Sequence, residues 1–307
     1  MINEFLLNIP KGIYIGDFRL VTFYALCILL GAILALKLSQ YYFKKRGYDP
    51  EDLENLFFIA FPIGILGARL WYVIAEWETG GFSTNFWSVF AIWEGGLAIQ
   101  GGVILGIVAG VIYLLKVKRN IPLLTLTDCV VPTILVAQFL GRWGNFFNQE
   151  VYGGCVSRWT WLPDFIEERL VYRIDEYGAM NGTLLCPAEN QMVLPLFLIE
   201  GTLNLMGFFL IVYGLKLIPL IIRKYKPDFS MPDGIKTSCY ILWYGVVRAI
   251  LEPLRNPTYI MDNFASLYMA IAFIVIGVAG IVLSIVFNKK LISLRLASKE
   301  TVNTNRV

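Results

Sequence analysis

The sequence predicts an all-α polytopic membrane protein with about seven transmembrane helices, an external N-terminus, a cytoplasmic C-terminus and a small extracytoplasmic head domain. Three observations carry this. The 307 residues are 57% hydrophobic and only 16% charged, against about 25% charged in an average soluble domain. Mean hydropathy is +0.63. Runs of roughly 20 apolar residues recur along the chain, the length needed to cross a bilayer. These features exclude the soluble enzyme classes. A net charge of +3 is too small to point to nucleic acid.

The expected spans are residues 18–38, 55–76, 88–115, 122–141, 193–215, 237–254 and 264–287. Cations set their direction. Lys44, Lys45 and Arg46 follow the first span, Lys116, Lys118 and Arg119 the third, Lys216, Arg223, Lys224 and Lys226 the fifth, and Lys289, Lys290 and Arg295 the seventh. The loop after the second span, "EWETGGFSTNF", has no Lys or Arg. Odd-numbered spans therefore end in the cytoplasm. Residues 1–290 are expected to form one transmembrane domain, interrupted by an extracytoplasmic insertion at 142–192, with 291–307 a polar cytoplasmic tail. The N-terminal stretch has neither a cationic leader nor an A-x-A-like site, so no cleaved signal peptide is expected. No internal repeat points to a transporter of inverted halves.

Cys155 and Cys186 both fall in the insertion, where a disulfide and two free thiols are both open readings. Cys27, Cys129 and Cys239 lie within spans as small packing residues. The chain has no His and no Cys pair at zinc-like spacing, so neither a metal site nor a cofactor is expected.

Ionisable residues inside spans are costly and suggest function. Arg69 sits in the outer half of the second span, with Glu76 seven residues on, nearly the same helical face. In "YGVVRAILEPLR", Arg248, Glu252 and Arg255 follow at i, i+4 and i+7, one polar stripe on an apolar helix. "GRWGNFFNQE" places Arg142, Asn145, Asn148 and Glu150 at the outer end of the fourth span. Single arginines near span ends often snorkel to the interface. Three spans sending Arg and carboxylate toward one side fit an anionic lipid headgroup better, because the guanidinium fork matches a phosphate. "WEGGLAIQGGVILG" encloses Gln100 between glycine pairs. Such pairs serve close helix packing or a broken helix lining a cavity that Gln100 and Glu94 would face.

"GRWGNFFNQEVYGG" resembles the signature of the prolipoprotein diacylglyceryl transferases: Gly, Arg, any, Gly-Asn-Phe, apolar, Asn, any, Glu, with Gly beyond. "FYALCILLG" with Tyr24, "GARLWYV" with Arg69, "WEGGLAIQGG", "LTDCVVP" with Asp128 and "LWYGVVRAILEPLR" agree in order. The resemblance spans nearly the whole chain. It implies transfer of the diacylglyceryl group of phosphatidylglycerol to the lipobox cysteine of a prolipoprotein, at the outer leaflet of a bacterial plasma membrane. Glycerol phosphate leaves. Catalytic residues implied are Arg142, Asn145, Glu150, Arg248 and Glu252. Substrate-binding residues are expected at Tyr24, Arg69, Gln100, Gly144, Asn148, Gly153, Gly154 and Arg255.

Two places depart from the family pattern. Gln100 stands where a His is usual. "LPLFLIEG" replaces a His-Pro…Gln-Leu-Tyr-Glu stretch, keeping Pro195 and Glu200 but with Leu194 and Ile199 at polar positions. The chain is then either an active variant with another base or a paralogue of altered activity. Two readings from other classes compete: an anion transporter, which predicts a charged path to the cytoplasmic side, and a lipid-binding protein without turnover.

Overall fold

The computed structural model describes residues 9–16, 18–78, 82, 85–91, 96–118, 120–225, 227, 229–257 and 263–304, with side chains of the last helix described from Ser266 to Phe287. The protein is mostly helical, and its strands form three separate two-stranded ladders. Six helical stretches among the described residues are long and apolar enough to cross a membrane: Phe23–Lys45, Pro50–Ala75, Ile99–Lys116, Leu123–Asn148, Leu196–Ile222 and Ser266–Phe287. The sixth expected span is a helix of 17 residues, Ile235–Leu251, shorter than the other six. It stops in the 3-10 turn Glu252–Leu254, because Pro253 has no N–H to continue the ladder.

Other boundaries also differ from expectation: the second span starts at Pro50 rather than 55, the fourth runs to Asn148 rather than 141 and the fifth to Ile222 rather than 215. The first span starts at residue 23 rather than 18, because β1 (Gly12–Ile15) and β2 (Phe18–Thr22) pair as an antiparallel hairpin. Val21 and Thr22 are β-branched and suit the pleated strand. The third span starts at Ile99 rather than 88: a 3-10 turn, Phe86–Phe90, precedes it, and Gly96 has φ +70°. Trp93, Glu94 and Gly95 lie outside the described residues.

Helices are labelled α1 (Phe23–Lys45), α2 (Pro50–Ala75), α3 (Ile99–Lys116), α4 (Leu123–Val130), α5 (Ile134–Asn148), α6 (Asp164–Val171), α7 (Leu196–Val212), α8 (Leu217–Ile222), α9 (Ile235–Leu251) and α10 (Asn263–Thr304). Contacts divide the chain into two compact units, residues 36–129 and residues 1–35 with 130–307.

In the smaller unit α2 packs along α3. Asp49 caps α2 by accepting from the Glu51 N–H, and Pro50 occupies the first turn, where its missing donor is not needed. The helices touch backbone to backbone. A Cβ on Gly67 would lie 2.5 Å from the Gly101 carbonyl oxygen, and one on Gly101 would lie 2.2 Å from that of Gly67. Gly101 thus serves close packing, while Gly96 belongs to the non-helical approach to α3. Lys118 and Asp52 close the far end as an ion pair at 2.7 Å.

In the larger unit α5 packs on α7, α7 on α9, and α9 along α10. Gln138 on α5 donates to the Tyr240 hydroxyl on α9 at 3.1 Å. Between α5 and α7 the chain builds a small elaborated segment. β3 (Cys155–Ser157) pairs with β6 (Gln191–Val193), and β4 (Tyr172–Ile174) with β5 (Met180–Leu184), both antiparallel. Its core is Leu162, Ile166, Leu170, Val171, Met192 and Val193, continuous with Phe146 at the end of α5 and Phe197 at the start of α7. Cys155 and Cys186 form a disulfide across this segment, 31 residues apart in sequence.

Closing a loop of that length in the unfolded chain stabilises the fold by about 2–4 kcal/mol. A Cys155→Ala/Cys186→Ala variant is expected to lower the thermal midpoint and to speed protease cleavage between β3 and β6. Limited proteolysis with mass spectrometry checks this.

Candidate functional site

The larger unit gathers three arginines and three glutamates from separate elements into one chain of contacts. It starts at the end of α5. The helix stops at Gln149, which takes the left-handed conformation (φ 53°, ψ 51°), and Val151 is also at positive φ, 55°. Positive φ is costly for a β-branched residue. The reversal turns Glu150 back onto the helix: its N–H donates to the Asn145 carbonyl at 3.0 Å, and its Oε1 accepts from Asn145 Nδ2 at 3.0 Å and from Asn148 Nδ2 at 3.4 Å. Asn145 in turn accepts from Arg142 Nη1 through Oδ1 at 3.1 Å.

Arg142 Nη2 donates to Glu200 Oε1 on α7. The other Glu200 oxygen meets Arg255 Nη2 at 3.4 Å. Glu252 lies between Arg255 and Arg248: its Oε2 is 2.7 Å from Arg248 Nη2 and 3.5 Å from Arg255 Nε, as ion pairs without hydrogen-bond alignment. Ser266 Oγ on α10 donates to Glu252 Oε1 at 2.8 Å. Glu200 and Glu252 side chains are 3% and 6% exposed, whereas Arg142 and Arg248 are each 20% exposed. The two carboxylates are sealed, and the two arginine side chains remain partly open.

Glycines set the spacing. A Cβ on Gly144 would lie 2.6 Å from Tyr24 Cδ2, so Tyr24 lies flat on α5. Gly153 and Gly154 lie between two backbone segments: the Gly153 N–H donates to the Leu194 carbonyl, and the Gly154 N–H to the Leu254 carbonyl. Gly153 bridges to Arg255 in antiparallel fashion, and Asn256 donates to the Tyr152 carbonyl. This splice fixes the backbone of Arg255. A Cβ on Gly153 would lie 2.7 Å from the Leu254 oxygen, whereas one on Gly154 meets nothing within 4 Å.

Two supporting residues, Gln149 and Arg169, escape sequence reasoning. Gln149 Nε2 donates to the carbonyls of Arg169 and Tyr172, both at 2.7 Å, and its Oε1 accepts from the Ile174 N–H at 2.9 Å. Arg169 is 1% exposed. It donates to the Phe147 and Ile9 carbonyls and lies over the Phe146 ring. Burial pushes its guanidinium down to about 10, still charged at neutral pH. A cation at the C-terminal carbonyls of α5 also complements the helix dipole. Together they hold the strained 149–151 turn that aims Glu150.

The prolipoprotein diacylglyceryl transferase family profile matches residues 10–286. The chain belongs to this family. It is similar to proteins named phosphatidylglycerol–prolipoprotein diacylglyceryl transferase from Streptococcus pneumoniae, 36% identical in strain Taiwan19F-14 and 35% in strain JJA. Each comparison covers 270 residues, 88% of this chain and 91% of the relative.

Of the residues expected from the transferase signature, the structure brings Arg142, Asn145, Asn148, Glu150, Arg248, Glu252 and Arg255 together, with Tyr24, Gly144, Gly153 and Gly154 against them. Glu200, kept in "LPLFLIEG" but not singled out as a site residue, links the two halves of the chain of contacts. Its signal was a carboxylate in an apolar span. Leu194 contributes through its backbone, whose N–H and C=O both pair with the Gly153–Gly154 stretch. Arg69 and Gln100 belong to the smaller unit. Arg69 is 6% exposed and donates to the carbonyls of Ser88, Val89 and Gly96, clamping the segment that leads into α3. Gln100 is exposed on the first turn of α3.

The glycine pair gives a contrast. Gly153→Ala is expected to lower the thermal midpoint by several degrees, because its Cβ meets backbone, while Gly154→Ala leaves it within about a degree. Thermal unfolding of the purified variants in detergent checks both.

Proposed function

We propose that this chain transfers the diacylglyceryl group of phosphatidylglycerol to the cysteine thiol of a prolipoprotein, the first step of lipoprotein maturation, with the Arg142–Glu200–Arg255–Glu252–Arg248 array as its headgroup clamp. The observation that carries this is the exposure pattern. Arg142 and Arg248 are backed by buried carboxylates but keep 20% of their side-chain surface open, and a guanidinium fork suits phosphate oxygens. Membership of the transferase family and the names of its relatives supply the substrates.

The thiolate sulfur attacks the glyceryl carbon that bears the phosphate ester. A C–S thioether bond forms, the C–O bond breaks, its electron pair stays on the phosphate oxygen, and glycerol phosphate leaves. The thiol proton passes to solvent. Arg142 and Arg248 stabilise charge building on the phosphate, and their field favours thiolate over thiol. Asn145 holds Arg142 through its Oδ1 and Glu150 through its Nδ2, so Glu150 acts first as an orienter. Glu252 does the same for Arg248.

The distribution of Lys and Arg between loops supports an external N-terminus, a cytoplasmic C-terminus and an extracytoplasmic 142–192 segment. The site then faces the outer leaflet of the bacterial plasma membrane, where the lipid and the prolipoprotein signal segment approach sideways from the bilayer. A disulfide in that segment supports the same side, since disulfides persist in oxidising compartments.

Arg142→Ala and Arg248→Ala should each lower transfer to a lipobox peptide by about 10²–10³-fold, or 2–4 kcal/mol of barrier. Rates near wild type in both would sink the clamp. Gln100 tests the base separately. Wild-type transfer is expected without His at this position, and Gln100→His should change it less than tenfold; a nearly inactive wild type restored by that substitution would assign the base to position 100.

A further inference from the structure

A second polar feature lies beside the clamp, in the same unit. A cavity of about 170 Å³ is lined by Lys11, Asn148, Gln149, Tyr152 and Arg173, more than ten times the roughly 10–15 Å³ that one water needs. A neighbouring cavity, about 20 Å³ beside Asn145 and Arg169, is water-sized. The larger cavity's lining has two cations and no carboxylate. Of the nearby acids, Glu176 interacts electrostatically with Lys11 from outside the lining, and both it and Asp175 have other partners. Glu176 accepts from the Tyr14 hydroxyl and from Arg19, and Asp175 accepts the Tyr177 and Ala179 N–H groups. Gln149 forms a rigid wall through its three bonds to Arg169, Tyr172 and Ile174. Asn148 belongs to both places: it lines the cavity and donates to Glu150 of the clamp.

We propose that this cavity binds the phosphate monoester released by the reaction, taking glycerol phosphate from the clamp toward solvent. This rests on the transferase reading above. Charge is the argument. Phosphatidylglycerol is a phosphodiester and carries one negative charge. Breaking its C–O bond makes a monoester of about −1.5 to −2 at pH 7, since the second ionisation lies near 6. A site of two cations therefore prefers product over substrate. The free product also leaves the bilayer, whereas the lipid headgroup stays tethered to its chains.

The test is equilibrium binding of radiolabelled glycerol phosphate to the full-length protein in phosphatidylcholine nanodiscs. Wild type is expected to bind, with inorganic phosphate competing. Lys11→Gln/Arg173→Gln should weaken binding at least tenfold, while Arg173→Lys with Lys11 intact keeps most of it. An unchanged thermal midpoint in each variant shows that the fold survives. The proposal is overturned if wild type does not bind the label, if the double variant binds as wild type does, or if phosphatidylglycerol in the disc displaces the label as well as free phosphate does. Transfer measured on the same preparation separates the two readings. No transfer by wild type defeats the transferase reading. Normal transfer with binding indifferent to Lys11 and Arg173 defeats this one alone.

Discussion

The carboxylate of Glu200 is the constraint around which the larger unit is arranged. Its side chain is 3% exposed, and a charge so far from water costs several kcal/mol unless it is met by cations in good geometry. Arg142 from α5 and Arg255 beyond α9 both meet it. Arg255 is itself only 9% exposed and shares Glu252 with Arg248. Each of the two buried carboxylates serves two arginines, so α5, α7 and the end of α9 are held at one spacing. Gly201 follows from that spacing: a Cβ there would lie 3.3 Å from Phe139 and 3.7 Å from Arg142 Cβ. So does the Gly153 splice, which fixes the Arg255 backbone against residues 152–154.

The second constraint is the exit from α5. A strained backbone at residues 149–151 is braced by a buried cation, Arg169. Gln149 and Val151 at positive φ are conformations that persist only where the surroundings over-determine them. Those surroundings are the three hydrogen bonds of Gln149 and the caging of Arg169 beneath Phe146 and Phe147. The elaborated segment between β3 and β6 thus has a role beyond covering the helices. It supplies the carbonyls that Gln149 grips, and its core is continuous with Phe146 and Phe197 at the two helix ends that carry the site.

Much of this was legible in the sequence, for identifiable physical reasons. Apolar runs announce spans because a bilayer demands length and hydrophobicity, and charge inside such a run announces a site because it is expensive there. Arg142, Glu150, Arg248 and Glu252 were visible on that ground. What was hidden depends on tertiary context. "FRLVT" at 18–22 reads as apolar enough to begin a span, but its pairing with residues 12–15 makes it a strand. The third apolar run begins well before helix can, because a turn and a positive-φ glycine precede Ile99. Arg69 looked like the other intramembrane arginines. Only the folded chain shows its donors directed at backbone carbonyls of residues 88, 89 and 96. Gln149 sits at a variable place in the signature, and nothing in its identity foretells three backbone bonds.

The absence of His bears on the chemistry less than composition suggests. In the described contacts Glu200 accepts from a guanidinium, Glu150 from amides and Glu252 from the Ser266 hydroxyl while pairing with two arginines, and acceptors of that kind orient what they hold. A clamp that works through charge stabilises the departing phosphate and the thiolate with the same two guanidiniums, because both carry negative charge that grows or persists along the reaction. The proton then has no single required destination: the thiol gives it up to water, and the new monoester, with its second ionisation near 6, leaves largely as a dianion. The demand that remains is to remove that dianion from the cations that helped to create it. An array whose positive charges are already matched by sealed carboxylates holds a doubly charged product less tightly than bare arginines would, which favours release over retention.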